Sequence, residues 1–197
     1  LENFFDWTDQ GTGESDAEFS SYGKRHWTRK RFYSKCDAIA KTIFRIGDSY
    51  GKIPDVIGFA EIENRGVLEK LCSSTLLRKC GYSIVHFESS DRRGIDVAFL
   101  YRTSSYCLLT TSLKLPEING IKMKTREMLH ICLKDLDTRV TYDFIVCHHP
   151  SKFGGEKESE DRRIAAMTAL RNMCDSLGNK SLVAMGDFND TPDGEQF

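Results

Sequence analysis

The sequence has no Cys-x-x-Cys pair, no long apolar run and no excess of either charge. Its seven cysteines are an odd number, which argues against a structural zinc site or a dense disulfide framework and for buried free thiols. No apolar stretch approaches the roughly 18 residues of a transmembrane helix. Because 28 Lys and Arg face 29 Asp and Glu, no overall field attracts the chain to nucleic acid or anionic lipid, and any polyanion site must be local.

Features that would mark a domain boundary are also scarce. Only four prolines interrupt 197 residues, and no internal repeat or low-complexity stretch marks a domain boundary, so we expect one domain, residues 1–197. The sequence starts at Leu1 rather than Met and shows no signal peptide, so we expect that a preceding segment has been removed. Free thiols favour the cytoplasm, while secretion or a periplasmic location stays open.

Apolar residues at spacings of three and four predict three amphipathic helices. The first follows Thr28, a suitable N-cap, and ends at Gly47. The second begins near Val67 and stops at Cys80 and Gly81. The third is marked by Ile164, Met167, Leu170, Cys174 and Leu177.

Seven runs rich in β-branched and aromatic residues have the length of strands. They are residues 55–62, 82–87, 95–101, 106–113, 128–133, 140–147 and 181–185. Five of them follow one another without a helix, which favours antiparallel pairing. Residues 9–25 are polar, as in a long loop, and residues 190–194 are typical of a turn.

Each predicted helix has one apolar stripe, and each run of strands needs cover on both faces. Two β-layers with helices packed outside them satisfy both requirements. We therefore predict an α/β (α+β) fold, a four-layer αββα sandwich of two mixed β-sheets flanked by helices.

Three polar residues, Glu61, His148 and Asp187, stand where apolar strands end. Side chains at such ends emerge from a rigid support into a crevice, so they can converge on one site. A hard cation such as Mg2+ takes oxygen ligands and keeps several waters, so one or two carboxylates suffice and Glu61 fits that demand. Taken alone, Glu61 also fits a solvated acid at a strand end.

Asp187 and Asn189 lie two residues apart after Gly186 and point the same way on an extended segment. The ionised Asp can orient or deprotonate a water, and the amide can donate to a phosphate oxygen. The alternative is an Asx-rich turn after a strand.

His148 can donate to a phosphoryl oxygen and so offset the charge of a transition state. The alternative is a structural histidine. Its neighbour His149 points to the opposite face of an extended strand, so a His-rich metal cluster is not expected.

Four segments, in this order, resemble the endonuclease/exonuclease/phosphatase superfamily. They are Leu-Glu-Asn-Phe-Phe-Asp at 1–6, residues 55–64 with their Glu, residues 147–155, and Gly-Asp-Phe-Asn-Asp at 186–190. Residues 93–102 are similar to a core strand of many members. Cys147 stands where relatives often have Asn.

The resemblance implies a metal-dependent phosphoester hydrolase that uses an activated water. Glu61 then corresponds to the principal ligand of Mg2+, or alternatively Mn2+, and Glu2 to an additional acidic ligand. Asp187 corresponds to the residue that activates the water, Asn189 to the one that steadies water and phosphoryl group, and His148 to a contact of the scissile phosphate.

The expected activity is that of a nuclease-type phosphodiesterase acting on a phosphoester substrate, with nucleic acid as the candidate. Arg25 and Trp27 can contact a phosphodiester backbone or stack a base, although such a run is also typical of a solvated helix start. Weaker candidates for substrate binding are Lys152, after the His pair, and Arg162 and Arg163 on the third helix.

Two alternatives stay open, and we expect a monomer in each case. One is an inositol-phosphate or lipid-headgroup phosphatase or phosphodiesterase on the same fold, and the other is a non-catalytic binding module. The family also carries a terminal Asp-His pair, and none of the five histidines here follows an Asp. We therefore expect a domain that lacks the start of the first strand and the C-terminal portion, with strand edges or apolar surface left exposed.

Overall fold

Three α-helices, one 3-10 turn and nine β-strands form the regular structure of the computed structural model, which describes residues 1–8, 11, 13–152, 155, 157 and 159–191. The helices are α1 (Arg29–Tyr50), α2 (Arg65–Ser74) and α3 (Glu160–Leu177), with the 3-10 turn at Leu76–Lys79. The strands are β1 (Val56–Ile62), β2 (Tyr82–His86), β3 (Asp96–Arg102), β4 (Tyr106–Lys114), β5 (Glu117–Ile118), β6 (Ile121–Lys122), β7 (Met128–Asp135), β8 (Thr141–His148) and β9 (Leu182–Asp187). Each of the seven predicted runs corresponds to one of these strands, and only the two-residue strands β5 and β6 were not predicted.

The first sheet has the strand order β1-β3-β2, and both pairings are antiparallel. Its central strand, β3, is buried from Asp96 to Leu100 because both faces of the sheet are covered. A parallel bridge between Phe4 and Ile62 joins the N-terminal segment to the edge strand β1. The first residues of the chain therefore lie beside the end of β1.

The second sheet has the strand order β4-β7-β8-β9 and is antiparallel except for the last pair. Helix α3 connects β8 and β9, since parallel neighbours need a crossover. The register of this pair sets Cys147 opposite Gly186 and His148 opposite Asp187. The carboxyl ends of both strands therefore meet at one edge.

The two sheets pack face to face, and helices cover their outer faces. Between the sheets, Phe99 of β3 lies beside Phe144 of β8, with ring centroids 5.2 Å apart. The next residue along β3, Leu100, belongs to the core formed with α1 and α2. Leu170 of α3 and Ile145 of β8 share the third apolar cluster. This order of layers confirms the predicted αββα sandwich.

Helix α1 begins where predicted and ends later. The Thr28 side chain accepts a hydrogen bond from the Arg31 N–H, as an N-cap does. The prediction that the helix ends at Gly47 is wrong, because it continues to Tyr50. A Cβ at Gly47 would lie 2.8 Å from the side chain of Ile53, so this glycine permits a close approach instead of ending the helix.

Helix α2 ends before the predicted stop at Cys80 and Gly81. Thr75 has an extended backbone and interrupts the helix after Ser74. Its hydroxyl donates to the Leu71 carbonyl at 2.8 Å and accepts from the Leu77 N–H at 3.2 Å. The chain continues from there as a 3-10 turn, whose tighter winding the apolar spacing does not reveal.

Helix α3 packs four of the five predicted residues against the second sheet, namely Met167, Leu170, Cys174 and Leu177. Ile164 is exposed, while Arg163 is buried. The Arg163 guanidinium lies 3.3 Å from the Asp190 carboxylate and donates to Ser159 at 2.6 Å. These polar contacts bring Arg163 inward, whereas the predicted Ile164 stays exposed to solvent.

The described part of the predicted loop at 9–25 contains turns but no helix or strand. The Glu14 N–H donates to the Arg92 carbonyl at 2.9 Å, which ties this loop to the connection between β2 and β3. Of the turn predicted at 190–194, positions 192–194 lie outside the described residues. None of the described helices is both long and apolar enough to cross a bilayer.

The packing of Phe99 between the two sheets predicts a large contribution of this side chain to the stability of the fold. Phe99→Ala should lower the free energy of unfolding by about 3–5 kcal/mol, because it opens a cavity between β3 and β8. Leu109→Ala, on an exposed position of β4, should change it by less than about 0.5 kcal/mol. Urea unfolding followed by tryptophan fluorescence measures both, and similar midpoints for the two variants would contradict the assigned sheet interface.

Candidate active site

A bulge in β1 positions the carboxylate of Glu61. The register between β1 and β3 shifts between Ala60 and Ile62, and Glu61 has a positive φ of 61°. The Phe4 N–H donates to the Glu61 carbonyl at 2.9 Å, and the Asn3 N–H donates to Glu61 Oε2 at 2.6 Å. Such strained residues cluster at functional sites, and here the N-terminal segment holds the strained residue in place.

The end of β8 brings a second predicted residue to Glu61. His148 Nε2 lies 3.8 Å from Glu61 Oε1, although the two residues belong to different sheets. The other ring nitrogen, Nδ1, is buried and has no hydrogen-bond partner among the described residues. The two sheets therefore meet at this edge with an acid and an imidazole side by side.

Burial sets the protonation state of both histidines. Burial and the Arg126 guanidinium lower the pKa of His148 to about 3. The same two causes lower the pKa of His149 to about 4. Both rings are therefore neutral near pH 7, and each carries one N–H donor.

The end of β9 carries the predicted acid and amide pair. The His149 N–H donates to the Asp187 carbonyl at 2.8 Å. The Asn189 N–H donates to Asp187 Oδ1 at 2.9 Å, and the Asn189 side chain donates to the His149 carbonyl at 2.9 Å. The segment thus forms the Asx turn left open as the alternative, and that turn holds an exposed Asp187 carboxylate beside the histidines.

Gly186 permits this arrangement. Its φ is 135°, and a Cβ there would collide with the Cys147 carbonyl of the neighbouring strand. Only glycine fits this combination of conformation and space. The strand can therefore approach β8 closely at the point where Asp187 follows.

Arg126, which the sequence did not single out, holds the histidine segment in place. Its guanidinium donates to the carbonyls of His148 at 3.2 Å and His149 at 3.3 Å, and it lies 3.0 Å from the Asp91 carboxylate. The side chain is 3% exposed. A single basic residue before β7 has no pattern that distinguishes it from a solvated one, so only the tertiary structure reveals it.

A cleft of about 510 Å3, here called the arginine cleft, lies beside Arg126 and the chain that follows the two histidines. It is lined by Asn3, Ser15, Glu18, Phe19, Arg25, Asp91, Arg93, Thr125, Arg126, Pro150, Ser151 and Arg162. A smaller depression of about 190 Å3 shares three of these residues and adds Glu2, Trp27 and Lys35. The predicted residues Glu2, Arg25 and Trp27 therefore lie in one continuous surface with Asn3.

The residues predicted to contact the substrate differ in the contacts that they make within the chain. The Arg25 guanidinium pairs with Glu18 at 2.7 Å but stays largely exposed, and the Trp27 Nε1–H donates to the Phe5 carbonyl at 2.7 Å. Lys152 lies 3.3 Å from Asp190, the same carboxylate that holds Arg163. Lys152 and Arg163 thus brace the segment after β9, whereas Arg162 lines the arginine cleft.

The donor set at Glu61 suits a hard divalent cation. Glu61 Oε2 is held by Asn3, Oε1 faces His148, and the side chain keeps 19% of its surface exposed. Lys35 donates to the Glu2 carbonyl; burial lowers its pKa, while the charges of Glu2 and Glu61 oppose that shift. Because carboxylate oxygens on a water-accessible edge are the ligands that Mg2+ and Mn2+ take, Glu61 has the chemistry of a ligand for such an ion.

Solved structures share this fold at low sequence identity. The catalytic domain of human Nocturnin is 18% identical, with a TM-score of 0.59, over 80% of this chain and 58% of that one. A mannosyl-6-phosphatase of Bacteroides thetaiotaomicron is 17% identical, with a TM-score of 0.58, over 79% and 58%. A conserved protein of Enterococcus faecalis is 15% identical, with a TM-score of 0.61, over 90% and 65%.

The present chain therefore spans less than two thirds of each of these structures. No curated protein matches it at a significant level. A sequence profile described as the Endonuclease/Exonuclease/phosphatase family matches residues 1–197. Family profile, layered fold and converging strand ends agree, and the chain belongs to the endonuclease/exonuclease/phosphatase family.

Proposed function

We propose that this protein is a Mg2+-dependent phosphodiesterase of nuclease type. The observation that carries the proposal is the meeting of Glu61 and His148, from two different sheets, beside the Asp187 and Asn189 turn. An acid for a cation, a neutral donor for a phosphoryl oxygen and an exposed carboxylate for a water are what an in-line hydrolysis needs.

Each side chain has one task in this reaction. The Asp187 carboxylate orients the attacking water and accepts its proton. The His148 ring, protonated on the nitrogen that faces Glu61, donates to a non-bridging phosphoryl oxygen. One N–H of the Asn189 amide is held by His149, and the other steadies the phosphoryl group. A cation held by Glu61 and Glu2 would neutralise charge that develops on the phosphate oxygens.

The arginine cleft supports a polyanionic substrate. Arg25, Arg93 and Arg162 reach it from three separate parts of the chain, and all three side chains are largely solvent-accessible. Guanidinium groups recognise phosphate oxygens in a bidentate manner. A substrate with further phosphates next to the scissile one would use this surface, whereas a single phosphate would leave it unused. Trp27 lines the adjoining depression and supplies an aromatic side chain beside the arginine cleft.

Comparison of substrates separates this proposal from the alternatives. With Mg2+, the natural protein that contains this sequence should nick supercoiled plasmid DNA faster than it releases phosphate from inositol phosphates or choline phosphate from a sphingomyelin analogue. Faster turnover of either small headgroup substrate would favour the phosphatase alternative. No turnover of any of them would favour a binding module.

Glu61→Gln should reduce the Mg2+-dependent rate by about 100-fold or more, because the amide binds a hard cation weakly while the shape stays the same. Initial rates over a Mg2+ titration measure the effect. Glu69→Gln, an exposed carboxylate on α2 that pairs with Arg65, is the matched control and should retain the full rate. Equal rates in the wild type and Glu61→Gln would rule out the assigned ligand.

Asp187→Asn should lower the turnover number by about 100- to 10,000-fold with little change in KM, since the amide cannot accept the proton of the water. Single-turnover nicking at saturating Mg2+ measures the chemical step. Asp175→Asn, near the end of α3, serves as the control. A larger effect on KM than on turnover would contradict a role in water activation.

The assigned role of His148 predicts its titration. Because its pKa is lowered to about 3 and that of His149 to about 4, neither ring should titrate between about pH 5 and 8 in 15N NMR spectra. As the pH falls below about 6.5, the unfolded chain binds protons that these rings do not, so the free energy of unfolding should decrease. A midpoint near 6.5 for either ring would contradict the neutral donor.

A further inference from the structure

Three polar side chains of the second sheet form a hydrogen-bonded chain that the proposed phosphoester hydrolysis does not use. Ser112 of β4 lies opposite His130 of β7, and Ser112 Oγ is 3.2 Å from His130 Nδ1. The other ring nitrogen, Nε2, is 2.6 Å from Asp143 Oδ1 on β8. A hydroxyl, an imidazole and a carboxylate are therefore connected in this order across three neighbouring strands. They are called the polar triad below.

The polar triad lies on the outer face of the second sheet. Leu129 and Ile131, on either side of His130, belong to the apolar cluster between the two sheets, so His130 points to the opposite face. Phe144 belongs to the same cluster, so its neighbour Asp143 also points outward. The polar triad is therefore distinct from the candidate active site at the strand ends.

The surroundings of Asp143 determine which nitrogen of His130 can accept a proton. Burial alone would raise the pKa of this carboxyl, but hydrogen bonds from Asn179 and His130 lower it below its ordinary value, so the group is ionised near pH 7. Asn179 donates to Asp143 Oδ2, which leaves Oδ1 to accept from His130 Nε2. In the neutral ring the proton is therefore on Nε2, and Nδ1 accepts from the Ser112 hydroxyl.

Burial differs along the polar triad in the way that a nucleophile requires. The side chains of His130 and Asp143 are 6% and 8% exposed, whereas Ser112 is exposed to solvent. A serine hydroxyl alone is a weak nucleophile, and it is activated by a base that a third group orients. Here the base and the orienting acid are fixed inside the protein while the hydroxyl stays accessible.

A cleft of about 370 Å3, here called the serine cleft, contains both Ser112 and His130 in its wall. Helix α3 packs on β8 at Ile145 and Cys147 and leaves most of β4 exposed, so the cleft lies between β4 and α3. Its lining residues are Ser112, Leu113, Lys114, His130, Asn172, Met173, Ser176 and Leu177.

The other lining residues of the serine cleft supply an apolar wall and polar donors. Met173 and Leu177 of α3 provide apolar surface. Lys114 follows Ser112 by two residues on β4, so both side chains project from the same face of the sheet. The Lys114 ammonium and the Asn172 amide are N–H donors in the wall that contains the hydroxyl. This combination suits a carbonyl group that carries a short apolar chain.

We propose that Ser112 is the nucleophile of a second hydrolytic site, which cleaves carboxylic esters with a short apolar acyl chain. Ser112 Oγ forms a bond to the carbonyl carbon while its proton moves to His130 Nδ1. The bond from that carbon to the alkoxy oxygen then breaks, and the alcohol leaves with the proton from His130. Water attacks the acyl-serine in the same way, so the carboxylic acid is released and the serine is restored.

The remaining groups have supporting tasks in this reaction. Lys114 or Asn172 donates to the carbonyl oxygen as negative charge develops on it. Asp143 touches no reacting atom and is a positioning residue, which holds the His130 ring and stabilises its protonated form. Since no step uses a metal ion, the reaction at Ser112 is chemically independent of the proposed phosphodiesterase.

Labelling with a fluorophosphonate probe tests the nucleophile directly. In the natural protein that contains this sequence, trypsin cleaves after Arg102 and Lys114, and fragmentation of peptide 103–114 should locate the phosphonyl group on Ser112. Ser112→Ala should abolish labelling of this peptide, and the exposed position makes loss of folding unlikely to interfere. Ser104→Ala, an exposed turn residue of the same peptide, is the matched control and should be labelled like the wild type. No label on Ser112 in the folded protein would overturn the proposal.

Asp143→Asn tests the positioning role of the carboxylate. The variant keeps the shape but loses the charge that holds the ring, so the limiting rate of labelling at saturating probe should fall by about 100-fold or more. The half-saturating probe concentration should stay the same, whereas a merely structural change would alter both. Asp137→Asn, in the exposed turn after β7, is the control. Equal limiting rates in Asp143→Asn and the wild type would contradict the triad, and if Asp143→Asn does not fold, the Ser112→Ala labelling decides.

Hydrolysis of p-nitrophenyl butyrate in the presence of EDTA separates this proposal from the proposed phosphodiesterase. The release of p-nitrophenol should continue in EDTA, which removes the cation that phosphodiester cleavage requires. It should disappear in Ser112→Ala, because the acyl-serine cannot form. Equal rates of ester hydrolysis in the wild type and Ser112→Ala, or loss of the wild-type rate in EDTA, would refute the second site whatever the outcome for plasmid DNA.

Discussion

The candidate site depends on one strained residue, Glu61, at the bulge of β1. A positive φ in a residue other than glycine costs about 1–3 kcal/mol, and the hydrogen bonds from Asn3 and Phe4 offset that cost. Without the N-terminal segment, the bulge would lose the donors that hold it. In a regular strand, successive side chains point to opposite faces of the sheet. Without the bulge, the direction of the residue 61 side chain would therefore be fixed by that alternation. Asn3 and Phe4 therefore support the candidate site through their backbone N–H groups.

Arg126 performs the corresponding task on the second sheet. Its guanidinium binds two consecutive carbonyls and a carboxylate, so it fixes the backbone at His148 and His149 and also keeps the rings neutral. A lysine would supply the charge but not the planar set of donors that spans two carbonyls. The same residue thus sets the geometry of the histidine segment and adds to the effect of burial on its protonation state.

Much of this molecule could be predicted from local sequence, because strand runs and helix stripes depend on burial of one face. The seven strand runs and the start of α1 at Thr28 are examples. Local sequence failed where tertiary contacts decide: Gly47 allows the approach of Ile53, and ion pairing draws Arg163 inward in place of Ile164. The positions of Glu61, His148 and Asp187 at strand ends were predicted, but the bulge, Arg126 and the arginine cleft arise only when distant segments meet.

The contact between Glu61 and His148 joins two sheets whose interior contact is apolar packing, as at Phe99 and Phe144. Any slippage of one sheet along the other changes that separation directly. Apolar packing is non-directional and tolerates small shifts, whereas the chemistry proposed here does not. A loosened interior would consequently separate Glu61 from His148 while most of the secondary structure is still intact, so that the candidate site is lost on warming before the fold melts.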